Sequence, residues 1–436
     1  MKVIETSQDF STFAEDCKDS SILLIAIPCD HSKHSSLTSI AGIYISTLNN
    51  MQNYYISIDH EEAILNFDII DVMAVIETAK IKYVHDIKQF NHFMVLNGVV
   101  CCNSLSYFFN SKKIEAKLTP AHNKLYSMYW NKKNVNKIIP IYKHIEYCQQ
   151  LQIEMSNVIN RTEQSKVFQA NTMINYLKNL NNIESSGLYT KNGYEYCNYN
   201  PYTTTGRPSN TFNKINYAAL NKSDGSRNKY CSRFKNGSIL ELDYDAYHLR
   251  IIAEMVDYTL PDTSIHEYLG KQYFGKEKLS DKEYSEAKQI SFQILYGGIP
   301  EEFLSIPFFN KVNDFIYKFW EEWELKNYYE TYLYNRKVKK SVIGKMNPQK
   351  LFNYYIQSAE TELNSEAMIR VFDVLKDYNS KFILYTYDSF TFDFDMDDGK
   401  DLVLQIKQAM KYPTRISVGS NYGDLKDVSL RFSWYL

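Results

Sequence analysis

The stretch Ile239-Leu-Glu-Leu-Asp-Tyr-Asp-Ala-Tyr-His-Leu-Arg-Ile-Ile-Ala-Glu-Met255 changes its period at a carboxylate: an apolar, strand-like run stops at Asp243 and a helix-like pattern follows at once. A carboxylate at a strand end, beside the backbone carbonyl of Tyr244, offers hard oxygen donors to a cation such as Mg²⁺. A second candidate lies about 145 residues on, where Asp388 sits at the centre of the β-branched and aromatic run 381–394. Asp is disfavoured inside strands, so its place there asks for a reason. Either Asp alone reads as a turn or edge residue, since short motifs match by chance. Together, and with what surrounds them, they read as a metal pair.

The third chemical signal is a stripe. Ser280-Asp-Lys-Glu283 has capping-box form and precedes a helical pattern that stops at Gly297-Gly298, with Pro300 beyond. Positions four apart drift by only about 40° around a helix, so Tyr284, Lys288, Phe292 and Tyr296 share one face. Such a stripe is commonly core with a snorkelling amine. Here it ends at a Gly pair, where a flat partner can approach the backbone and stack on Tyr296. Upstream, Tyr202-Thr-Thr-Thr-Gly-Arg-Pro-Ser-Asn210 opens a polar stretch running through Lys214, Lys222, Arg227, Lys229, Arg233 and Lys235. Hydroxyls, backbone amides and Arg suit a phosphate–sugar backbone. Asn353 and Gln357 share a helix face and could cap neighbours or read minor-groove acceptors, which are alike in every base pair. Cys29-Asp-His-Ser-Lys-His34 reads as a polar loop, because a structural zinc site needs four converging ligands.

Positioning these groups takes a long chain. At 436 residues, with 44% hydrophobic and 23% charged residues, it has the length of two to four subdomains. Strand-like runs at 21–27, 40–46, 54–58 and 81–84 alternate with helical patterns at 69–78 and 90–96, which makes the first 140 residues one α/β domain. Lys112, Lys113, Lys117, Lys124, Lys132, Lys133 and Lys137 give it a basic side, ordinarily a solvated face. A helical hairpin is expected from Ile141 to about Leu180, ending in the polar run 181–187, and aromatic-rich helices from about Phe303 to Tyr334. The last strand-like piece is Thr414–Val418. A formal net charge of −2 gives no global attraction to a polyanion, so local basic clusters would have to hold one. The seven cysteines lack C-x-x-C or zinc spacing and fit reduced thiols in the cytoplasm. No signal peptide is read, and no apolar run approaches about 18 residues, so neither secretion nor a membrane is expected.

In this order the segments resemble the family A (Pol I-type) DNA polymerases. Asp243-Tyr-Asp-Ala-Tyr-His-Leu-Arg250 is similar to the family's first catalytic motif, D-Y-S-Q-I-E-L-R, and Lys288-x-x-x-Phe292-x-x-x-Tyr296-Gly297 to its fingers-helix motif. Tyr387-Asp388-Ser389 stands where the family has H-D-E, Thr205-Gly-Arg207 matches T-G-R, Asn353 and Gln357 match N-x-x-x-Q, and Ile265-His266 falls at D-I-H. The resemblance covers about Gly187 to Gly423. It implies a multidomain α/β fold: a degenerate, RNase H-like 3′–5′ exonuclease domain at 1–140, a reduced helical thumb at 141–186, and a palm at 187–436 with fingers inserted at about 257–340. It implies template-directed addition of deoxynucleotides to a primer 3′ end, with two Mg²⁺ ions (Mn²⁺ substituting) on Asp243, Tyr244 and Asp388. Lys288 and His266 would meet the triphosphate, Phe292, Tyr296 and His248 the rest of the nucleotide, and Arg207, Asn353, Gln357 and Tyr387 the primer-template. Low processivity without a replisome partner follows from the short thumb.

Three departures stand out. Tyr284 occupies the place of the family's triphosphate-binding Arg, so Lys288 carries more of that load or another basic residue reaches in. Ser389 replaces the acid after Asp388. His248 replaces a Glu that packs under the sugar: either it relaxes sugar selectivity by hydrogen bonding to a 2′-hydroxyl, or it fills the Glu volume and bonds Tyr296. In the N-terminal domain Phe90 stands where an exonuclease acid belongs, no D-x-E follows the first strand, and only Tyr142-x-x-x-Glu146 is similar to the third motif, so no proofreading is expected. The rival readings are a non-catalytic primer-template-binding protein and a polymerase that accepts ribonucleotides.

Overall fold

The apolar runs that open the sequence pair into one six-stranded sheet, ordered β1-β4-β3-β2-β5-β6, in a computed structural model that describes residues 1–115, 138–162, 164–261 and 263–429. Its strands are β1 (Lys2–Val3), β2 (Ser21–Pro28), β3 (Ile40–Thr47), β4 (Asn53–Ser57), β5 (Ile81–Val84) and β6 (Val99–Cys101). β2, β3 and β4 are antiparallel neighbours, while β5 and β6 continue from β2 in parallel. Helices α1 (Ser7–Cys17), α2 (Ile69–Glu77), α3 (Ile87–Phe90), α4 (Cys102–Asn110), α5 (Ile141–Arg161) and α6 (Gln164–Ser186) complete this part of the chain.

The stripe Cys148, Leu151, Met155 on α5 enters the same core as Leu23, Ile25, Tyr44 and Tyr55 of the sheet. Two compact units result, Met1–Ser185 and Ser186–Leu436, and the helix pair shares the first with the sheet. The helix expected at 90–96 begins earlier, because the Asp86 carboxylate caps the amides of Lys88 and Gln89, and it ends at Phe90. The polar run 181–186 stays helical instead of breaking α6, since its side chains find partners: Asn181 donates to the Lys88 carbonyl at 2.9 Å and Glu184 takes the Lys88 ammonium at 2.7 Å. Gly187 then turns the chain at φ +64°. His34, His92 and Glu184 bring three potential metal-ligand atoms within 4.8 Å of one another, but Lys88 already binds both Glu184 oxygens. The Cys29–His34 segment is a loop in which the His34 ring caps the Ser36 amide. Lys112 and Lys113 are exposed; the other five lysines of that run lie outside the described residues.

The second unit opens with short strands β7 (Leu188–Thr190), β8 (Gly193–Glu195), β9 (Tyr199–Asn200), β10 (Ser209–Phe212) and β11 (Ile215–Asn216). Its centre is a five-stranded antiparallel sheet, ordered β15-β16-β12-β17-β18. Here β12 is Gly237–Tyr244, β15 Lys381–Tyr385, β16 Ser389–Asp395, β17 Thr414–Gly419 and β18 Lys426–Asp427. The same unit holds helices α7 (Tyr247–Met255), α8 (Ile265–Phe274), α9 (Asp281–Gly297), α10 (Pro307–Lys326), α11 (Lys340–Ile343), α12 (Pro348–Leu375) and α13 (Gly399–Ala409). Leu249, Ile265, Leu295, Phe308, Phe309, Phe352 and Ile356 join α7, α8, α9, α10 and α12 in one core, each buried side chain contributing roughly 1.5–3 kcal/mol. The helical run expected to Tyr334 stops at Lys326, where Asn327 adopts φ +60°, and a hairpin of β13 (Tyr328–Glu330) and β14 (Lys337–Lys339) follows. No helix among the described residues is long and apolar enough to cross a membrane.

Candidate active site

Register brings the two catalytic candidates together. Asp243 at the end of β12 pairs with Ser389, and the Tyr244 amide donates to the Asp388 carbonyl at 2.9 Å. Asp388 lies in the tight turn between β15 and β16, not inside a strand, so the apparent misfit of an Asp in a β run resolves into a hairpin turn. Tyr387 takes φ +70° there, and the turn is held from below by buried Asn364, whose Nδ2 donates to the Tyr387 carbonyl at 2.6 Å. Burial, then the charges of Asp388 and Glu241, push the Asp243 carboxyl up to about 7. Surrounding protein, then Glu360, also raise Asp388, although its side chain still reaches solvent. Two carboxyls pushed up by burial and like charge are a set of hard oxygens that a divalent cation would relieve. The residues present fit that group.

Around this pair lies a cleft of about 210 Å³. It gathers Arg207, Asp243, Tyr244, His248, His266, Lys288, Phe292, Tyr296 and Asp388 from segments spread over most of the second unit. α7 starts from Ala246 at φ +52°, a left-handed turn costing roughly 1–2 kcal/mol that swings the chain from strand to helix beside the carboxylates. α9 carries the predicted capping box, Ser280 with Glu283. Its stripe turns toward the cleft: Lys288 is exposed, and Phe292 and Tyr296, each 41% exposed, hold their rings within 3° of parallel. His266 is buried beside them, and burial followed by the Lys288 charge lowers its imidazole to about 4, leaving it neutral at pH 7.

His248 has both ring nitrogens turned to protein. Nδ1 bonds the Tyr296 hydroxyl at 2.7 Å, and Nε2 stands 3.2 Å from Glu360 Oε1. The ring is thereby held against Tyr296. Glu360, on α12, is 1% exposed and also faces Arg207 Nε at 3.1 Å. These are close charge contacts without hydrogen-bond alignment. Burial raises the Glu360 carboxyl, but His248 and Arg207 outweigh it and hold it below the usual value. The Arg207 guanidinium stacks over the Tyr387 ring at 3.8 Å.

The remaining candidates sit at the margins. Asn353 donates to the Tyr296 carbonyl at 3.4 Å, and Gln357 is half-buried on the same helix face. Tyr284 does not line the cleft; its hydroxyl accepts from Ser264 at 3.3 Å and its ring meets His266 edge-on. Sequence reasoning missed Glu360, Arg415, Asn364 and Glu241. Glu360 stands seven residues after Asn353 and three after Gln357, on their face, so its spacing carried a signal.

No family model and no curated protein matches the chain. Among solved structures, the POL domain of Pol1 from M. smegmatis, in complex with DNA primer-template and dNTP, aligns with a TM-score of 0.73 at 12% identity, over 97% of this chain and 99% of that one. This chain has the fold of a Pol I polymerase domain. At 12% identity the likeness is one of fold.

Proposed function

We propose that the chain is a template-directed DNA polymerase that adds deoxynucleotides to a primer 3′ end. The observation that carries this reading is the convergence of Asp243 and Asp388 with Lys288 and the exposed Phe292–Tyr296 pair in one cleft of a Pol I-type fold. Asp243, Asp388 and the Tyr244 carbonyl would hold divalent cations, Mg²⁺ in the cell, which supply charge neutralisation and hydroxyl activation for transfer at phosphorus. The chain's own groups do the rest. Lys288 offers its ammonium to the phosphate tail. The parallel rings of Phe292 and Tyr296 present a stacking surface for a base. Neutral His266 donates or accepts a hydrogen bond and is no reservoir of acid protons at pH 7. Arg207, Asn353 and Gln357 face the minor groove of a primer-template; for Arg207 that means sharing its guanidinium between the nucleic acid and Glu360.

In this reading the palm is built on the five-stranded sheet, the fingers on the segment at about 257–340, and the α5–α6 pair stands for a reduced thumb, so long extension takes a replisome partner. The N-terminal unit is a remnant without proofreading: Phe90 is buried, Tyr142 is exposed, and Glu146 pairs with Lys143 at 2.8 Å. The committed position of His248 on Tyr296 and Glu360 favours ordinary deoxynucleotide selectivity over a relaxed one. Single-nucleotide extension with deoxy- and ribonucleotides in Mg²⁺ separates the readings. The proposal expects extension with a clear deoxy preference; equal use of both sugars supports the relaxed alternative, and duplex binding without extension supports the non-catalytic one.

A further inference from the structure

The fingers helix supplies the cleft with little positive charge. Toward it α9 presents Lys288 alone, because one turn earlier Tyr284 is a phenol turned to Ser264. A triphosphate tail carries several negative charges, and one flexible ammonium is a poor match for its fixed oxygens. The opposite wall offers another cation. β17 sets Arg415 directly across from Asp243 in the antiparallel register, and its side chain lines the cleft while remaining 41% exposed. Its Nη2 donates to Asp245 Oδ1 at 2.6 Å. Asp245 is itself steadied by Arg250, whose Nε donates to the Asp245 carbonyl at 2.9 Å and whose Nη2 lies 3.5 Å from its carboxylate. A guanidinium held through one of its N–H groups keeps further N–H groups for a bidentate oxyanion. His266 lines the same cleft; burial and then Lys288 lower its imidazole, Asp245 raises it and Arg415 lowers it.

We propose that Arg415 is the second polyphosphate-binding cation of this cleft, acting with Lys288 on the phosphate tail of a nucleoside triphosphate. Asp245 is its positioning residue. The inference rests on reading the cleft as a nucleotide site, though not on catalysis. It is tested by calorimetric dissociation constants of the full chain for a deoxynucleoside triphosphate and the matching monophosphate, at fixed Mg²⁺. Arg415→Ala is expected to weaken the triphosphate by about tenfold or more while the monophosphate changes less than about twofold, with Arg415→Lys between, because it keeps charge but loses the fork. Equal loss for both ligands, or no loss, overturns the inference, as does a wild type that binds both alike. Should Arg415→Ala fail to fold, Arg415→Lys decides: triphosphate affinity equal to wild type rejects the fork. An Arg415-dependent preference in a protein that extends no primer would sink the polymerase reading and leave this inference standing.

Discussion

Asp243 keeps its proton to about pH 7, against an ordinary 3.8, because it is buried beside two other carboxyls. A raised acid stabilises the cation-free fold fully below its unfolded value, and that contribution is lost as pH rises through about 7. A divalent cation takes the place of the proton, so Mn²⁺ affinity should strengthen from pH 6 to pH 8 and the rise should be smaller in Asp243→Asn, where only Asp388 remains raised. A flat affinity across that window in the wild type would show that Asp243 is not a ligand. A second residue-scale prediction concerns the buried acid of α12. His248→Glu would set a new carboxylate against Glu360 and is expected to cost roughly 1–3 kcal/mol of stability, most of it recovered in the double variant with Glu360→Ala. Additive losses in denaturation would show that the two sites do not communicate. Asp243, Asp388 and Lys288 were legible because each interrupts or punctuates a periodic run. Arg415 was not, since an Arg within a strand acquires meaning only when register supplies Asp243 and Asp245 as neighbours; Glu360 shared a helix face with Asn353 and Gln357, but only packing shows that it faces Arg207 and His248.

At the scale of elements, local signals proved strongest where backbone chemistry is self-contained. Ser280 with Glu283 announced α9, and the structure places the reciprocal cap there. Ser280→Ala should therefore cost about 1 kcal/mol in chemical denaturation, with Ser280→Asp close to wild type. No loss in the Ala variant would mean that packing alone fixes the start of α9. Periodicity misled where side chains found distant partners or a single residue turned the chain. The polar end of α6 stays helical through Lys88, Asn327 cuts the aromatic helix at Lys326, and Tyr387 at φ +70° converts a β run into the hairpin that carries Asp388.

At the scale of the whole molecule, the alternation of strand-like and helical runs pointed to the α/β character of the first unit, but not to α5 sharing its core, because the stripe Cys148, Leu151, Met155 does not say which face it meets. The first unit is expected to be without nuclease action: a labelled primer with a mismatched 3′ end should keep its length in Mg²⁺ or Mn²⁺. Metal-dependent shortening that persists in Asp243→Asn would place a live nuclease in that unit. The central claim is that the cleft around Asp243 and Asp388 performs nucleotidyl transfer. Primer extension with matched deoxynucleotides, run beside primer-template binding for the wild type, Asp243→Asn and Asp388→Asn, tests it most directly. The account predicts extension by the wild type and none by either variant, with binding kept within a few-fold, because metal ligands serve the transition state more than the duplex. Extension by either variant at near the wild-type rate would contradict it.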